Sequence, residues 1–257
     1  MSTELEFPVE VIELPSKGKL YPDSNPLSKG TIELKYMTAK EEDILASQNL
    51  IKKGIVLDKL FESVVVEKGV NVNDIFIGDK NAILLATRLL GYGKDYVVDV
   101  QDPFSGETQK VTIDLAKIQI KEVDFKKLNP ENEYEFELPY GKKEKIKFKL
   151  LTHGDEVKIS QEIQALQRLT KDKDSAGHEI STRLRHMIVE VNGNRDTGYI
   201  NKFVRNSLIA RNSKALREYV GTISPDLDLT FDFVSDITGE TEALTIPFGV
   251  GFFYPSE

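Results

Sequence analysis

Three histidines and no cysteine set the limits on the chemistry this 257-residue chain can do. Without a thiol there is no disulfide, thiolate nucleophile, zinc ribbon or iron–sulfur ligand. His153 follows Thr152 at a strand-to-helix boundary and reads as a helix-terminal or surface histidine. His178 and His186 lie about two helical turns apart. That is too far for the adjacent-turn pair of a zinc protease, and Glu179 or Glu190 would have to complete the ligand set. Leu90-Gly91-Tyr92-Gly93-Lys94 has the glycines of a phosphate loop. They follow a helix instead of joining a strand to one, so a helix end explains them better. Asp226 with Asp228, and Asp232 with Asp236, sit near strands without the other half of a glycosidase or two-metal site. The expectation is a protein that is not an enzyme, with no catalytic, cofactor-binding or metal-ligating residues and no cofactor.

Binding is the better use of the residues that stand out. Arg195, Lys202, Arg205, Arg211, Lys214 and Arg217 are interleaved with Tyr199, Phe203 and Tyr219, the most basic stretch of a chain whose formal charge is −8. The overall field opposes nucleic acid, and no winged, zinc-finger or ribonucleoprotein-type motif accompanies the patch. A face meeting an acidic protein partner, with Arg205, Arg211 and Arg217 as its cations, competes with a plain solvated face. The tail Ile246-Pro247-Phe248-Gly249-Val250-Gly251-Phe252-Phe253-Tyr254-Pro255 crowds aromatics between prolines and glycines that exclude a continuous helix. Exposed, it would be a costly apolar patch. Phe248, Phe252, Phe253 and Tyr254 either finish the chain's own core or contribute to a protein contact, directly or by shaping its surface.

The elements that must position these groups alternate between extended and helical. The chain is 40% hydrophobic and 30% charged, the balance of a folded soluble protein. No apolar run approaches the ~20 residues of a membrane span, and Met1 to Phe7 have neither the basic start nor the apolar stretch of a secretory signal. Leu14 to Pro22 predict two extended pieces around a turn, and Thr31 to Tyr36 a half-buried strand. Thr38 with Glu41 forms a capping box for a helix over 39–47. Helices are expected over 56–66, 79–90 (ended by Gly91), 155–169, 179–191, 197–209 and 213–219, with a polar loop at 171–177. A cap for a short turn is expected at Asn73 or Asp74.

Two hairpins are the sharpest local signals. Tyr134, Phe136 and Leu138 alternate with glutamates, and Ile146, Phe148 and Leu150 alternate with lysines. Placing Leu138 opposite Ile146 sets Glu137 against Lys147 and Glu135 against Lys149, with one apolar face. Asp102-Pro103-Phe104-Ser105-Gly106-Glu107 marks a turn between strands at 96–100 and 109–115. Its pattern returns later: Asp99-Val100, Ser105-Gly106-Glu107-Thr108 and Thr112-Ile113 match Asp232-Phe233, Thr238-Gly239-Glu240-Thr241 and Thr245-Ile246 at one constant offset. Either turns have drawn twice on the same few residue types, or a sheet element is repeated in both halves. The fold class that follows is α+β, a helical core with peripheral antiparallel hairpins. Residues 1–150 form a mixed region with hairpins, and 151–257 a helical region closed by a hairpin and the aromatic tail. One compact unit is the alternative.

Leu14-Pro15-Ser16-Lys17-Gly18 with Tyr21-Pro22, Met37 to Leu45, the two Gly-Glu-Thr hairpins and the closing Phe252-Phe253-Tyr254-Pro255 together resemble the baseplate hub assembly proteins of contractile-tailed bacteriophages of the T4 type. The resemblance runs over nearly the whole chain. Relatives carry cysteine pairs near the hairpin turns. Val100 to Phe104 and Val234 to Ile237 have none, so the resemblance implies metal-free turns here. It further implies a late viral protein of the baseplate hub. Its partners would be other hub or tail proteins and the tape-measure protein, met in the host cytoplasm during assembly or kept in the virion tail. A dedicated tail-assembly chaperone absent from the virion is the alternative, and a nucleic-acid-binding module the remaining one.

Overall fold

The computed structural model describes residues 8–170, 178–246 and 250–253. The chain opens with β1 (Val9–Glu13), antiparallel to β2 (Thr31–Lys35) with Ile12 opposite Ile32. The prolines between them exclude a further strand, leaving turns and a short 3-10 helix at Pro26–Lys29, and Leu14 N–H closes the loop onto the Gly30 carbonyl at 2.9 Å. Gly18 makes that closure possible. It has φ +76°, and a Cβ there would stand 2.1 Å from the Ser28 carbonyl oxygen.

The capping box forms as the sequence predicts, opening α1 (Ala39–Ala46): Glu41 Oε2 accepts from Thr38 N–H at 2.8 Å and from its hydroxyl at 2.6 Å. The same carboxylate is fully buried and also accepts from Lys35 Nζ at 2.8 Å and Ser63 Oγ at 2.5 Å. Burial alone would raise its pKa; the hydrogen bonds outweigh it and bring the group down to about 2. After α2 (Gln48–Lys53), α3 (Val56–Val64) buries Val56, Leu60, Phe61 and Val64, a stripe at helical spacing that overrides its β-branched residues. Asn71, and not Asn73 or Asp74, caps the next short turn. The long helix α4 (Ile77–Tyr92) then crosses the core. It continues through Gly91 and stops at Gly93, whose φ of +81° cannot extend it.

The hairpin of β3 (Asp95–Gln101) and β4 (Thr108–Asp114) follows. Next, β5 (Tyr134–Glu137) and β6 (Lys145–Phe148) pair with Phe136 opposite Ile146 and Glu135 opposite Lys147. The apolar face and the opposite charges are as expected, but the register is two residues tighter. Leu138 N–H donates to Glu144 O at 2.9 Å, so the loop shrinks to Pro139–Lys143, with Gly141 and Lys143 at positive φ. A shift of two keeps every side chain on its face, so the pattern that excludes a one-residue slip cannot exclude this one.

The largest departure is at residues 188–191. The expected helix over 179–191 ends at Met187 as α6 (Glu179–Met187), and Ile188–Val191 is β7, a third strand on β6. Three of its four residues, Ile188, Val189 and Val191, are β-branched and suit a strand, and the free edge of β6 supplies the hydrogen bonds. Helix α5 (His153–Thr170) precedes α6; α7 (Thr197–Asn206) and α8 (Ala210–Ile223) follow; β8 (Thr230–Val234) and β9 (Thr241–Thr245) form the last hairpin. The fold is thus α+β, with the Gly-Glu-Thr hairpin in both halves. The expected loop at 171–177 lies outside the described residues.

Elements on both sides of residue 150 share one apolar core, from Leu14 and Phe61 through Phe148 and Leu216 to Phe252. Gly78 at the start of α4 is where the C-terminal half crosses: a Cβ there would come 1.9 Å from the Pro225 carbonyl oxygen. Asn81 Nδ2 donates to Asp226 Oδ1 at 2.9 Å beside it.

Candidate functional site

Helices α7 and α8 fold over the β5–β6–β7 sheet because each has an apolar stripe. Ile200, Phe203 and Val204 are buried on α7, and Leu216 and Ile223 on α8. Asp196 caps α7 by accepting from Tyr199 N–H at 2.7 Å. With those stripes turned inward, Lys202, Arg205, Arg211, Lys214 and Arg217 are left exposed together, beside Tyr199 and Ile209. Arg211 stacks 5.6 Å over the Tyr140 ring. The Asn212 amide fixes that tyrosine's backbone, accepting from Tyr140 N–H at 3.1 Å and donating to its carbonyl at 3.0 Å. Arg195 differs from its neighbours. Glu133 takes it bidentately at 2.8 and 2.7 Å and Glu190 at 2.9 Å, which raises its pKa and closes its donor fork. The structure therefore leaves Arg205 on α7 and Arg211 and Arg217 on α8 exposed, and commits Arg195 to the fold.

The tail goes inward. Phe252 and Phe253 are each 1% exposed, packed edge-to-face on one another at 5.5 Å, and Phe252 meets Tyr96 at 5.1 Å. Of the two uses expected for these rings, the chain by itself shows the core. Phe248 and Tyr254 lie outside the described residues. Beneath Phe252 lies a group that the sequence reading missed. The Arg88 guanidinium is buried among Tyr92, Tyr96 and Phe252, 5.1–5.6 Å from each ring. Its Nε and Nη1 have no hydrogen-bond partner among the described residues, and burial lowers its pKa. Leu84 and Leu85, four and three residues before it on α4, are the signal that the arginine falls on a buried face.

His153 is the first residue of α5, as expected, but it is buried. Its Nδ1 is 2.9 Å from Lys80 Nζ. Its Nε2 is 2.7 Å from Asp58 Oδ1, an ion-pair distance without hydrogen-bond alignment. The contact lowers the Asp58 pKa, while burial lowers that of Lys80. His186 faces Glu162 at 2.9 Å. Among the described residues, no three histidine or carboxylate side chains are grouped to hold a metal, and no helix is long and apolar enough to cross a membrane.

A carboxylate anchors the N-terminal motif from beneath. Asp79 accepts from Ser16 N–H at 2.9 Å and from Tyr21 Oη–H at 2.7 Å, and the same tyrosine oxygen accepts from Phe76 N–H at 3.2 Å. The spacing of Ser16 and Tyr21 in the Leu-Pro-Ser…Tyr-Pro stretch is what lets both reach one acid on α4. The sequence model of the T4 bacteriophage base plate protein family matches residues 7–151, from β1 through this node to the end of the β5–β6 hairpin. The chain belongs to that family. No curated protein and no solved structure matches it. A structural or assembly role in the phage baseplate, with other tail proteins as partners and the virion tail as its place, follows from the membership. The family is structural and typically non-enzymatic. Its matched segment holds the Asp79 node, Arg88 itself and the first Gly-Glu-Thr hairpin, whereas Phe252 and the basic α7–α8 layer lie beyond it.

Proposed function

We propose that this base plate protein is a non-enzymatic component of the baseplate hub that works by binding other tail proteins, the tape-measure protein among them. The family match over residues 7–151 carries this reading. The α7–α8 layer is its contact surface, with Arg205, Arg211 and Arg217 for an acidic rim and Tyr140 and Tyr199 for an apolar centre. Phe252 and Phe253 hold up the neighbouring core and act on contacts only through it. The chain assembles in the host cytoplasm and stays in the tail.

The test is affinity capture from infected cells with wild type and with the triple variant R205E/R211E/R217E. Hub proteins should be retained by the first and lost by the second, at equal melting temperature. Purified tails should contain the chain at a fixed copy number. A chain abundant during assembly but missing from tails is a chaperone, and the hub assignment then fails. Phe252→Ser with Phe253→Ser should lower stability by about 3–5 kcal/mol, read as a fall in the unfolding midpoint. Lost capture at an unchanged midpoint would instead make the tail a direct contact.

A further inference from the structure

The two repeated turns meet in space. In the first, Asp102 N–H donates to Glu107 O and Gly106 N–H to Asp102 O, both at 2.8 Å; in the second, Ser235 N–H donates to Glu240 O and Gly239 N–H to Ser235 O, both at 2.9 Å. The side chains repeat the pattern. Asp102 Oδ1 accepts from the N–H groups of Phe104 and Ser105, and Ser235 Oγ from those of Ile237 and Thr238. Ser235 Oγ–H then donates to Asp102 Oδ2 at 2.6 Å, and Ser105 Oγ–H to the same oxygen at 2.7 Å. Gln109 ties the strands alongside, donating to Val234 O and accepting from Asp236 N–H, each at 2.9 Å. One carboxylate thus clasps two hairpin turns into a single rigid knob.

What the knob presents is apolar at its tip. Phe104 and Ile237 occupy the same position in the two turns, and they are 39% and 61% exposed, with Val234 at 51%. Nothing in the turn geometry asks for an apolar side chain there, since that position's hydrogen bond is made by its backbone. Around the tip Asp99, Glu107, Asp232, Asp236, Glu240 and Glu242 are exposed, with Lys110 among them. The α7–α8 layer has the opposite character: five exposed cations, Glu218 as the exposed acid among them, and Tyr199 and Ile209 about half exposed.

We propose that the knob of one copy docks on the α7–α8 layer of a second copy, head to tail. This rests on the reading of that layer as a protein contact, and it names the occupant. An acid-rimmed apolar tip meets a base-rimmed apolar face, so attraction, register and the dry centre all agree. A preformed tip loses little conformational freedom on docking. Because the two surfaces differ, the contact is heterologous and propagates, into a ring where its rotation closes and into an open filament where it does not.

The test uses the purified full chain in analytical ultracentrifugation over a concentration series. F104S/I237S removes the tip and R205E/R217E reverses the face. All four side chains are exposed, so melting temperatures should match wild type. Wild type should self-associate, less so as salt rises, and each variant alone should associate at least about tenfold more weakly. Mixing the two variants should give a one-to-one dimer, since one supplies an intact knob and the other an intact face. A tip variant that associates like wild type, a mixture that stays monomeric, or a monomeric wild type at every concentration overturns the proposal. If wild type is monomeric and R205E/R217E still loses capture of other hub proteins, the layer's occupant is another protein, and the functional reading survives without the self-contact. Loss of neither association nor capture defeats both.

Discussion

Asp79 and Asp102 are both sealed to 1% exposure, yet their surroundings push them in opposite directions. Burial raises the Asp79 pKa against the hydrogen bonds from Ser16 and Tyr21, and the nearby Asp226 adds to the rise. At Asp102 burial also pushes upward, but hydroxyls from Ser235 and Ser105 and two backbone N–H groups win, taking it down to about 2. The first acid lies inside the core, where few donors reach it. The second lies at the rim of the molecule, wrapped by its own turn and by the partner turn's hydroxyl. Sealing a carboxylate from water does not by itself decide its charge; the number of donors aimed at it and the depth of the surrounding protein do.

Removing the deeper acid should cost most. Asp79→Ala leaves Ser16 N–H and the Tyr21 hydroxyl without their acceptor in the core, and we expect about 3–5 kcal/mol of lost stability by denaturant unfolding. A loss under 1 kcal/mol would mean that the node is not what fixes the Leu-Pro-Ser…Tyr-Pro stretch onto α4. Ser235→Ala is the gentler cut at the clasp. It removes one hydroxyl bridge and uncovers part of the Asp102 carboxylate, for about 1–2 kcal/mol. It should also speed amide exchange at Ile237 and Thr238, which donate to that hydroxyl.

The pH dependence separates the two acids by sign. Asp102 has its pKa lowered from 3.8, so its contribution is complete above about pH 4 and disappears as pH falls through about 2. Asp102→Asn should therefore be destabilising at neutral pH, and its melting curve should converge on wild type in strong acid. Asp79 has its pKa raised, so the unfolded chain releases that proton first. Its contribution is best below the ordinary carboxylate range and declines as pH rises. The difference between Asp79→Asn and wild type should change with pH in the opposite sense to that of Asp102→Asn. Parallel profiles would refute the contrast.

The smallest effect is expected where a charge faces water. Glu135, 82% exposed, is 3.8 Å from Lys147 across the β5–β6 pair. Glu135→Gln should change stability by no more than about 0.5 kcal/mol, less at high salt. A larger change would show that this pair sets the register and not just its solubility.

The capping box at Thr38 and Glu41, the stripe of α3, the two faces of the β5–β6 hairpin and the repeat of the Gly-Glu-Thr turn were all legible in the sequence. Each depends on residues a few positions apart, and helical or strand periodicity brings such neighbours together whatever the rest of the chain does. The resemblance to baseplate proteins was legible too, because its motifs are contiguous. Ile188–Val191 was not: its strand exists because β6 offers an edge, and only the assembled sheet supplies those bonds. The two-residue tightening of the β5–β6 register belongs with it, since a period-two pattern is blind to even shifts. Nor could the sequence say that Ser16 and Tyr21 would share Asp79, that Ser235 would reach Asp102, or that Phe252 would cover Arg88. Those pairs are far apart in the chain, and their meeting depends on where α4 and the crossing at Gly78 carry them. What the sequence determined by itself is the set of local shapes and their apolar faces. The tertiary structure alone decided which polar groups would be shut away together, and so in which direction each buried carboxylate's pKa moves.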